Sequence, residues 1–399
     1  MRAGTYVKQA SGYRAFIPAP LPPKPPVELD AELLRLLADA SLSLGRLDGV
    51  GALVPNPDLF VAMYVRQEAV LSSQIEGTQC TLEEVLRYEL DPATVAQPAE
   101  IAEVVNYVGA MNHGLARLED FPLSLRLIRE IHARLMQGVR GATCDPGEFR
   151  RSQNWIGPRG ATLQNATFIP PPVPEMNGAL GDLETFLHDD ESLPSLLHFG
   201  LVHAQFETIH PFLDGNGRVG RLLITFLLCQ RGILRRPLLY LSYFFKKNRA
   251  EYYDRLMAVR EKGHWEQWLK FFLRGVAEVS GEANKTARRI FALRDEHRLA
   301  INKEMGSSAG TGLRLLDYLY EQPMINVRMV ERHLMSSFVT ASKLVDQLVK
   351  LEILRETTGG QRNRRYAYSP YLALFESSAK MGEESKSAVQ ATADPSGGL

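Results

Sequence analysis

Apolar residues recur at helical spacing along most of this chain. Leu33, Leu34, Leu36 and Leu37 mark a first helix, and Phe60, Tyr64 and Val65 a second. Thr81-Leu82-Glu83-Glu84 has capping-box spacing and predicts a new helix after a break near Gly77. Ser124 is placed to cap a helix through Leu127, Ile128, Ile131, Leu135 and Met136, and Asp145-Pro146-Gly147 predicts a turn after it. Further helices are expected at about 178–188, 194–209, 218–231, 249–260 and 265–280. The 218–231 stretch is apolar nearly all round, which predicts a central, buried helix.

Between Trp155 and Pro174 the period changes. Ala161-Thr162-Leu163 and Thr167-Phe168-Ile169 read as two short strands around Gln164-Asn165-Ala166. Such a hairpin offers an edge that an extended peptide can pair with, or serves as a flap with no partner.

Punctuation divides the chain. Residues 18–26, Pro-Ala-Pro-Leu-Pro-Pro-Lys-Pro-Pro, predict an extended polyproline arm, a linker or a strap over the surface. The helical mass from about 28 to 300 reads as one unit. Residues 1–110 supply its N-terminal arm and first helices, and 111–300 its core. A second unit, 305–375, has a helix at Leu313, Leu315, Leu316 and Tyr318, a second from Val327 to Leu334 and a third from Val339 to Leu351. Ile353–Thr357 and Arg365–Tyr368 then predict a hairpin around Gly359-Gly360. Three helices and a two-stranded wing resemble a winged helix-turn-helix. The tail 376–399, rich in Ser, Ala, Glu and Lys, is expected to be disordered. The fold class is therefore mainly α, with a small β-hairpin flap and a C-terminal winged helix-turn-helix domain.

Composition narrows the classes of function. Lys+Arg and Asp+Glu both total 46, so no overall basic field draws the chain to nucleic acid or anionic membranes. Cys80, Cys144 and Cys229 are odd in number and widely spaced, which fits neither a zinc site nor a disulfide framework. Met1-Arg2-Ala3-Gly4 is not followed by the apolar core of a signal peptide. The run Leu222–Cys229 is too short to span a bilayer. A cytoplasmic protein without a membrane partner is the expectation.

One segment carries chemistry: His210-Pro211-Phe212-Leu213-Asp214-Gly215-Asn216-Gly217-Arg218-Val219-Gly220-Arg221. Gly215-Asn216-Gly217 tolerates left-handed backbone and leads directly into the expected 218–231 helix. Such a turn presents free N–H groups and a positive dipole end, which suits a phosphate. Arg218 and Arg221, three residues apart, share one face of the first turn. Two cations there oppose the helix dipole, an arrangement that makes sense if an anion lies between them. Asp214 is a hard oxygen ligand able to hold Mg²⁺ once phosphates and waters complete the shell. His210 stands just before the loop, able to take a proton from an incoming hydroxyl.

The string matches H-x-F-x-D/E-G-N-G-R-x-x-R at every fixed position and so resembles the signature of the Fic family. That resemblance implies transfer of AMP from ATP to a Ser, Thr or Tyr hydroxyl of a target protein, the enzyme itself included. His210 would be the general base, Asp214 the Mg²⁺ ligand, and Gly215, Asn216, Gly217, Arg218 and Arg221 the nucleotide-binding set. Phe212 would be a core residue fixing the loop. Thr167, Phe168 and Ile169, followed by Pro170-Pro171, resemble the family's target-aligning flap. Tyr252-Tyr253 resembles positions flanking the nucleobase, though two adjacent aromatics on a helix also serve packing. Ser72-Ser73-Gln74-Ile75-Glu76-Gly77 fits S/T-x-x-x-E-G/N, the family's inhibitory motif. The resemblance implies that Glu76 pairs with Arg221, that Ser72 belongs to the same element, and that the enzyme is restrained at rest.

Alternatives stay open. Some relatives remove AMP or transfer UMP, phosphocholine or phosphate. The C-terminal unit has Lys343 on its third helix and Arg362, Arg364 and Arg365 on its wing, diluted by Asp346, Glu352 and Glu356. DNA is thus one partner and protein another. A nucleotide-sensing DNA-binding regulator is the competing class, and a homodimer is compatible with the sequence.

Overall fold

The computed structural model describes residues 2–52, 58–94, 98–139, 145–158, 160–189, 192–360 and 363–375. Cys144, Arg362 and the tail 376–399 lie outside the described residues.

A helical bundle forms around two buried helices. These are α7 (Ser195–Ile209), with residues 196–209 all buried, and α8 (Asn216–Gln230), buried from Arg218 to Leu228. The all-round apolarity of the 218–231 stretch thus ends where expected, at the centre. Around them stand α1 (Ala31–Ala52), α2 (Asp58–Ile75), α3 (Leu82–Leu90), α4 (Pro98–Arg117), α5 (Leu125–Leu135) and α6 (Val173–Leu187). They are followed by α9 (Ser242–Lys247), α10 (Arg249–Lys262) and α11 (Trp265–Glu304).

Local chemistry starts several of these helices. Thr81 Oγ1 accepts from Glu84 N–H at 3.2 Å while the Glu84 carboxylate accepts from Thr81 N–H at 2.8 Å, a complete capping box. Ser124 Oγ accepts from Leu127 N–H at 3.4 Å at the start of α5. The expected helix 265–280 instead continues to Glu304, making α11 40 residues long. Its added half is held by burial of Ala283, Ala287, Ile290 and Ile301, with α1 and the next helix packed against α11.

Two further features, both before Pro174, differ from the sequence expectation. An N-terminal antiparallel hairpin, β1 (Gly4–Lys8) with β2 (Arg14–Pro18), precedes the proline arm. The strands expected at 161–163 and 167–169 do not pair. Thr162 N–H donates to Asn165 Oδ1 at 2.6 Å and Asn165 N–H returns to Thr162 O at 3.2 Å, folding that segment into a turn. Phe168 pairs with Ile156 instead, in an isolated antiparallel bridge. Phe16 N–H of β2 donates to Ile169 O at 2.9 Å, so the N-terminal hairpin adjoins this segment.

The C-terminal unit contains α12 (Ala309–Glu321), α13 (Val327–Leu334) and α14 (Phe338–Lys350). The expected hairpin forms as β4 (Arg355–Glu356) and β5 (Arg365–Ala367), and β3 (Met324–Asn326) adds a third strand in the order β3-β5-β4. The unit packs against α2 through α12, and the Phe375 ring meets Tyr64 of α2 edge-on at 5.5 Å. No helix among the described residues is long and apolar enough to cross a membrane.

Candidate active site

α7 ends at His210, which turns into the left-handed region (φ 49°, ψ 61°), and Pro211 prevents helical continuation. Gly215, also left-handed at φ 79°, starts α8. The loop between is pinned from several sides. The Asn216 side chain accepts from Phe212 N–H and donates to Phe212 O, both at 2.8 Å. Asn154 Nδ2 donates to His210 O at 3.1 Å and Phe212 O at 2.9 Å. Arg150 Nε donates to His210 O at 3.1 Å. Phe212 is fully buried and stacks on His132 with centroids 3.7 Å apart, the packing role expected of it.

His132 also holds the far side of the loop. Its Nδ1 accepts from Gly147 N–H at 2.8 Å, which leaves Nε2 to donate to Asp214 O at 3.1 Å. Burial pushes its pKa down to about 4, so the neutral tautomer these bonds require is the one present at neutral pH. Asp214 Oδ1 accepts from Gly215 N–H at 2.6 Å and lies 3.6 Å from Arg218 Nη2. The side chain is 41% exposed, so the carboxylate remains open to solvent. Among the described residues no group of three His, Cys, Asp or Glu side chains could hold a metal by itself. Asp214 fits a hard cation only as one ligand beside phosphates and waters.

Burial, and next the Arg260 guanidinium, push the His210 pKa down to about 3. The imidazole is therefore neutral at neutral pH and free to accept a proton. Its Nδ1 is buried and makes no hydrogen bond among the described residues. One turn earlier on α7, Glu207 is buried beneath α8, where only a glycine at 220 leaves room. A Cβ there would stand 2.5 Å from Glu207 Oε1. Burial pushes the Glu207 carboxyl up to about 7.

The two arginines face different partners. Arg218 is buried against Glu103 of α4, Nη1 to Oε2 at 3.3 Å. Arg221, 2% exposed, donates from Nε to Ser72 Oγ at 2.8 Å and from Nη2 to Ser72 O at 3.0 Å. Nη2 also reaches Glu76 Oε1 at 2.7 Å. Partial burial works against the Glu76 carboxylate, yet Arg221 holds its pKa below the ordinary value. That carboxylate lies over the first turn of α8, where a Cβ on Gly217 would come within 2.3 Å of Oε1. An acidic group thus sits at a helix N-terminus flanked by arginines, the position whose charge favours an anion.

The remaining sequence-chosen residues separate. Tyr252 is core, 1% exposed, stacked on Phe245 at 4.6 Å, with its hydroxyl on His203 Nε2 at 2.9 Å. Neighbouring core residues cover its ring, while Tyr253 is 38% exposed. Phe168 and Ile169 are buried, with Arg260 4.0 Å above the Phe168 ring, and Thr167 alone of the three is exposed. Spacing did not single out Arg150, Asn154 or His132. They act on backbone carbonyls 60, 56 and 82 residues away, and local sequence carries no sign of that.

Residues 34–116 match the profile described as Fic/DOC family N-terminal, and residues 122–228 the profile described as Fic/DOC family. The protein adenylyltransferase Fic of Aedes aegypti is 30% identical over 202 residues, 47% of this chain and 35% of that protein. A probable protein adenylyltransferase of Aquifex aeolicus is 26% identical over 175 residues, 44% of this chain and 51% of that protein. The chain thus spans between 35% and 51% of the length of these curated relatives. A Fic family protein from Desulfovibrio desulfuricans shares the fold, with a TM-score of 0.54 at 20% identity, over 86% of this chain and 97% of that one.

Proposed function

Because residues 34–116 and 122–228 belong to the Fic/DOC family, we propose that the chain is a protein adenylyltransferase restrained by Glu76. The observation that carries this reading is the Glu76 carboxylate, 2.7 Å from Arg221 and lying over the first turn of α8. An anion held there competes directly with nucleotide phosphates for the same charge.

In the proposed reaction the target hydroxyl oxygen attacks the α-phosphorus of ATP and pyrophosphate leaves. Neutral His210 takes the hydroxyl proton. The 215–217 amides and Arg218 hold the phosphates, and Arg221 does so once Glu76 withdraws. Asp214 would hold Mg²⁺, which supplies charge neutralisation on the phosphates when bound. Thr167–Ile169 aligns the target. The names of the relatives support AMP as the transferred group.

For the C-terminal unit, a protein partner is favoured over DNA. Arg365 is paired with Asp91 at 2.8 Å, and Arg364 lies 4.0 Å from Asp346 and 3.9 Å from Glu356. Met335, Phe338 and Val339 expose apolar surface at the α13–α14 turn. Salt-dependent binding of duplex DNA by the full chain would reverse this preference.

Mass spectrometry of Glu76→Gly protein after incubation with ATP tests the reading. An adenylate adduct on a Ser, Thr or Tyr hydroxyl is expected, on this chain or an added target. Adducts no more abundant than in wild type would refute the brake, and a different phosphate-containing adduct would refute the donor.

A further inference from the structure

Arg150 is 2% exposed and has no carboxylate ion-pair partner among the described residues. A buried cation without a counter-ion is unfavourable unless its donors are satisfied. Here carbonyls from separate parts of the site satisfy them. Nε donates to His210 O at 3.1 Å, Nη1 to Ser152 O at 3.1 Å and Nη2 to Pro171 O at 2.5 Å. The backbone N–H of Arg150 donates to Pro211 O at 2.9 Å. Burial lowers the guanidinium pKa to about 10, so it stays charged at neutral pH.

These bonds join two segments that are far apart in sequence. One is the His210–Pro211 turn, whose left-handed residue adopts a conformation that side chains other than glycine take only at a cost. The other is the segment ending at Pro171, which contains the bridge from Phe168 to Ile156. The stretch from Arg150 to Ile156 contacts both segments at several points. Gln153 Nε2 donates to Pro170 O at 2.9 Å, and Asn154 donates to the His210 and Phe212 carbonyls.

We propose that Arg150 is a positioning residue that sets the spacing between the target hydroxyl and His210, by tying the target-aligning segment to the loop that carries the base. The proposal rests on the adenylyltransferase reading and adds to it the part that registers the second substrate. A planar guanidinium reaches three carbonyls in different directions at once, which an ammonium cannot do with the same geometry.

The test uses Arg150→Gln and Arg150→Lys in the full chain carrying Glu76→Gly. Arg150→Gln is expected to lower kcat for transfer to a protein hydroxyl about 100-fold, the scale of a small misplacement of reacting groups. KM for ATP should stay unchanged, because Arg150 touches none of the phosphate-binding groups. Arg150→Lys should recover only part of kcat. Hydrogen exchange supplies a readout that needs no activity: peptides covering 164–172 and 208–213 should lose protection together while α11 keeps its own. An unchanged kcat, a parallel change in KM for ATP, or loosening of only one of the two segments would overturn the proposal. Failure of Glu76→Gly itself to transfer AMP would instead sink the adenylyltransferase reading, and the exchange data would still decide whether Arg150 couples the segments.

Discussion

Glu76 reaches Arg221 at 2.7 Å from 145 residues earlier in the chain, and the same guanidinium donates two more bonds to Ser72 on the same segment. One cation is thus bound by the last turn of α2 and by the residue just beyond it. Arg221 is buried while the Glu76 side chain is 34% exposed, so the carboxylate has a route out and the guanidinium does not.

Removing that carboxylate is expected to raise AMP transfer. Each tenfold gain corresponds to about 1.4 kcal/mol of competition removed from the nucleotide site. Transfer from labelled ATP by Glu76→Gly should exceed wild type by at least about tenfold, because a charge-assisted hydrogen bond contributes roughly 1.5–3 kcal/mol. Equal rates in the two proteins would mean that Arg221 is not what limits nucleotide use.

His210→Ala should abolish most of the transfer seen in Glu76→Gly. General-base catalysis contributes about 10²–10⁴-fold, which sets the size of the loss. Nucleotide affinity measured by calorimetry should barely change, since the phosphate-binding loop begins beyond this side chain. Transfer that persists at the Glu76→Gly rate would remove His210 from the base role.

α2 is gripped along its length. Tyr64 donates to Ala283 O at 3.1 Å and meets the Phe375 ring. Arg66 pairs with Glu89 at 2.9 Å and reaches Glu321 O at 3.4 Å. These contacts hold the helix whose far end carries Ser72 and leads into Glu76. Phe375→Ala is therefore expected to raise basal transfer, by less than Glu76→Gly and with no further gain when the two are combined. Lowered thermal stability with unchanged basal transfer would show that the C-terminal unit grips α2 without affecting the brake.

Stability should respond to pH in two opposite ways. His203 donates Nδ1–H to Gly220 O at 2.8 Å and accepts from Tyr252, and burial lowers its pKa from 6.5 to about 3. The stability it contributes is present above pH 6.5 and is lost as pH falls toward 3. Glu68 is buried between Ser242 and Tyr107, and burial raises its pKa from 4.5 to about 7. Its contribution is full below pH 4.5 and is lost as pH rises through 7. Melting temperature against pH should therefore flatten on the acid side in His203→Gln and on the alkaline side in Glu68→Gln. Parallel curves for wild type and variants would contradict these assignments.

What the chain determined by itself is what lies close together along it. Helical periodicity placed α7, α8 and the C-terminal helices, and the capping pairs at Thr81 and Ser124 fell where local hydrogen bonds could form. The run from His210 to Arg221 pointed to an anion site because loop, carboxylate and cations occupy twelve consecutive positions, and resemblance supplied the link from Glu76 to Arg221. Tertiary structure alone decided which donors hold that loop. Arg150, Asn154 and His132 bond to backbone carbonyls, and a carbonyl leaves no mark of its partner in the sequence. It also decided that Phe168 pairs with Ile156, because the Thr162–Asn165 turn competes with the shorter hairpin. It placed Tyr252 in the core and Tyr253 at the surface, since two adjacent tyrosines are equivalent until neighbours such as Phe245 and His203 cover one of them. Periodicity reports that a face is buried; only packing specifies against what.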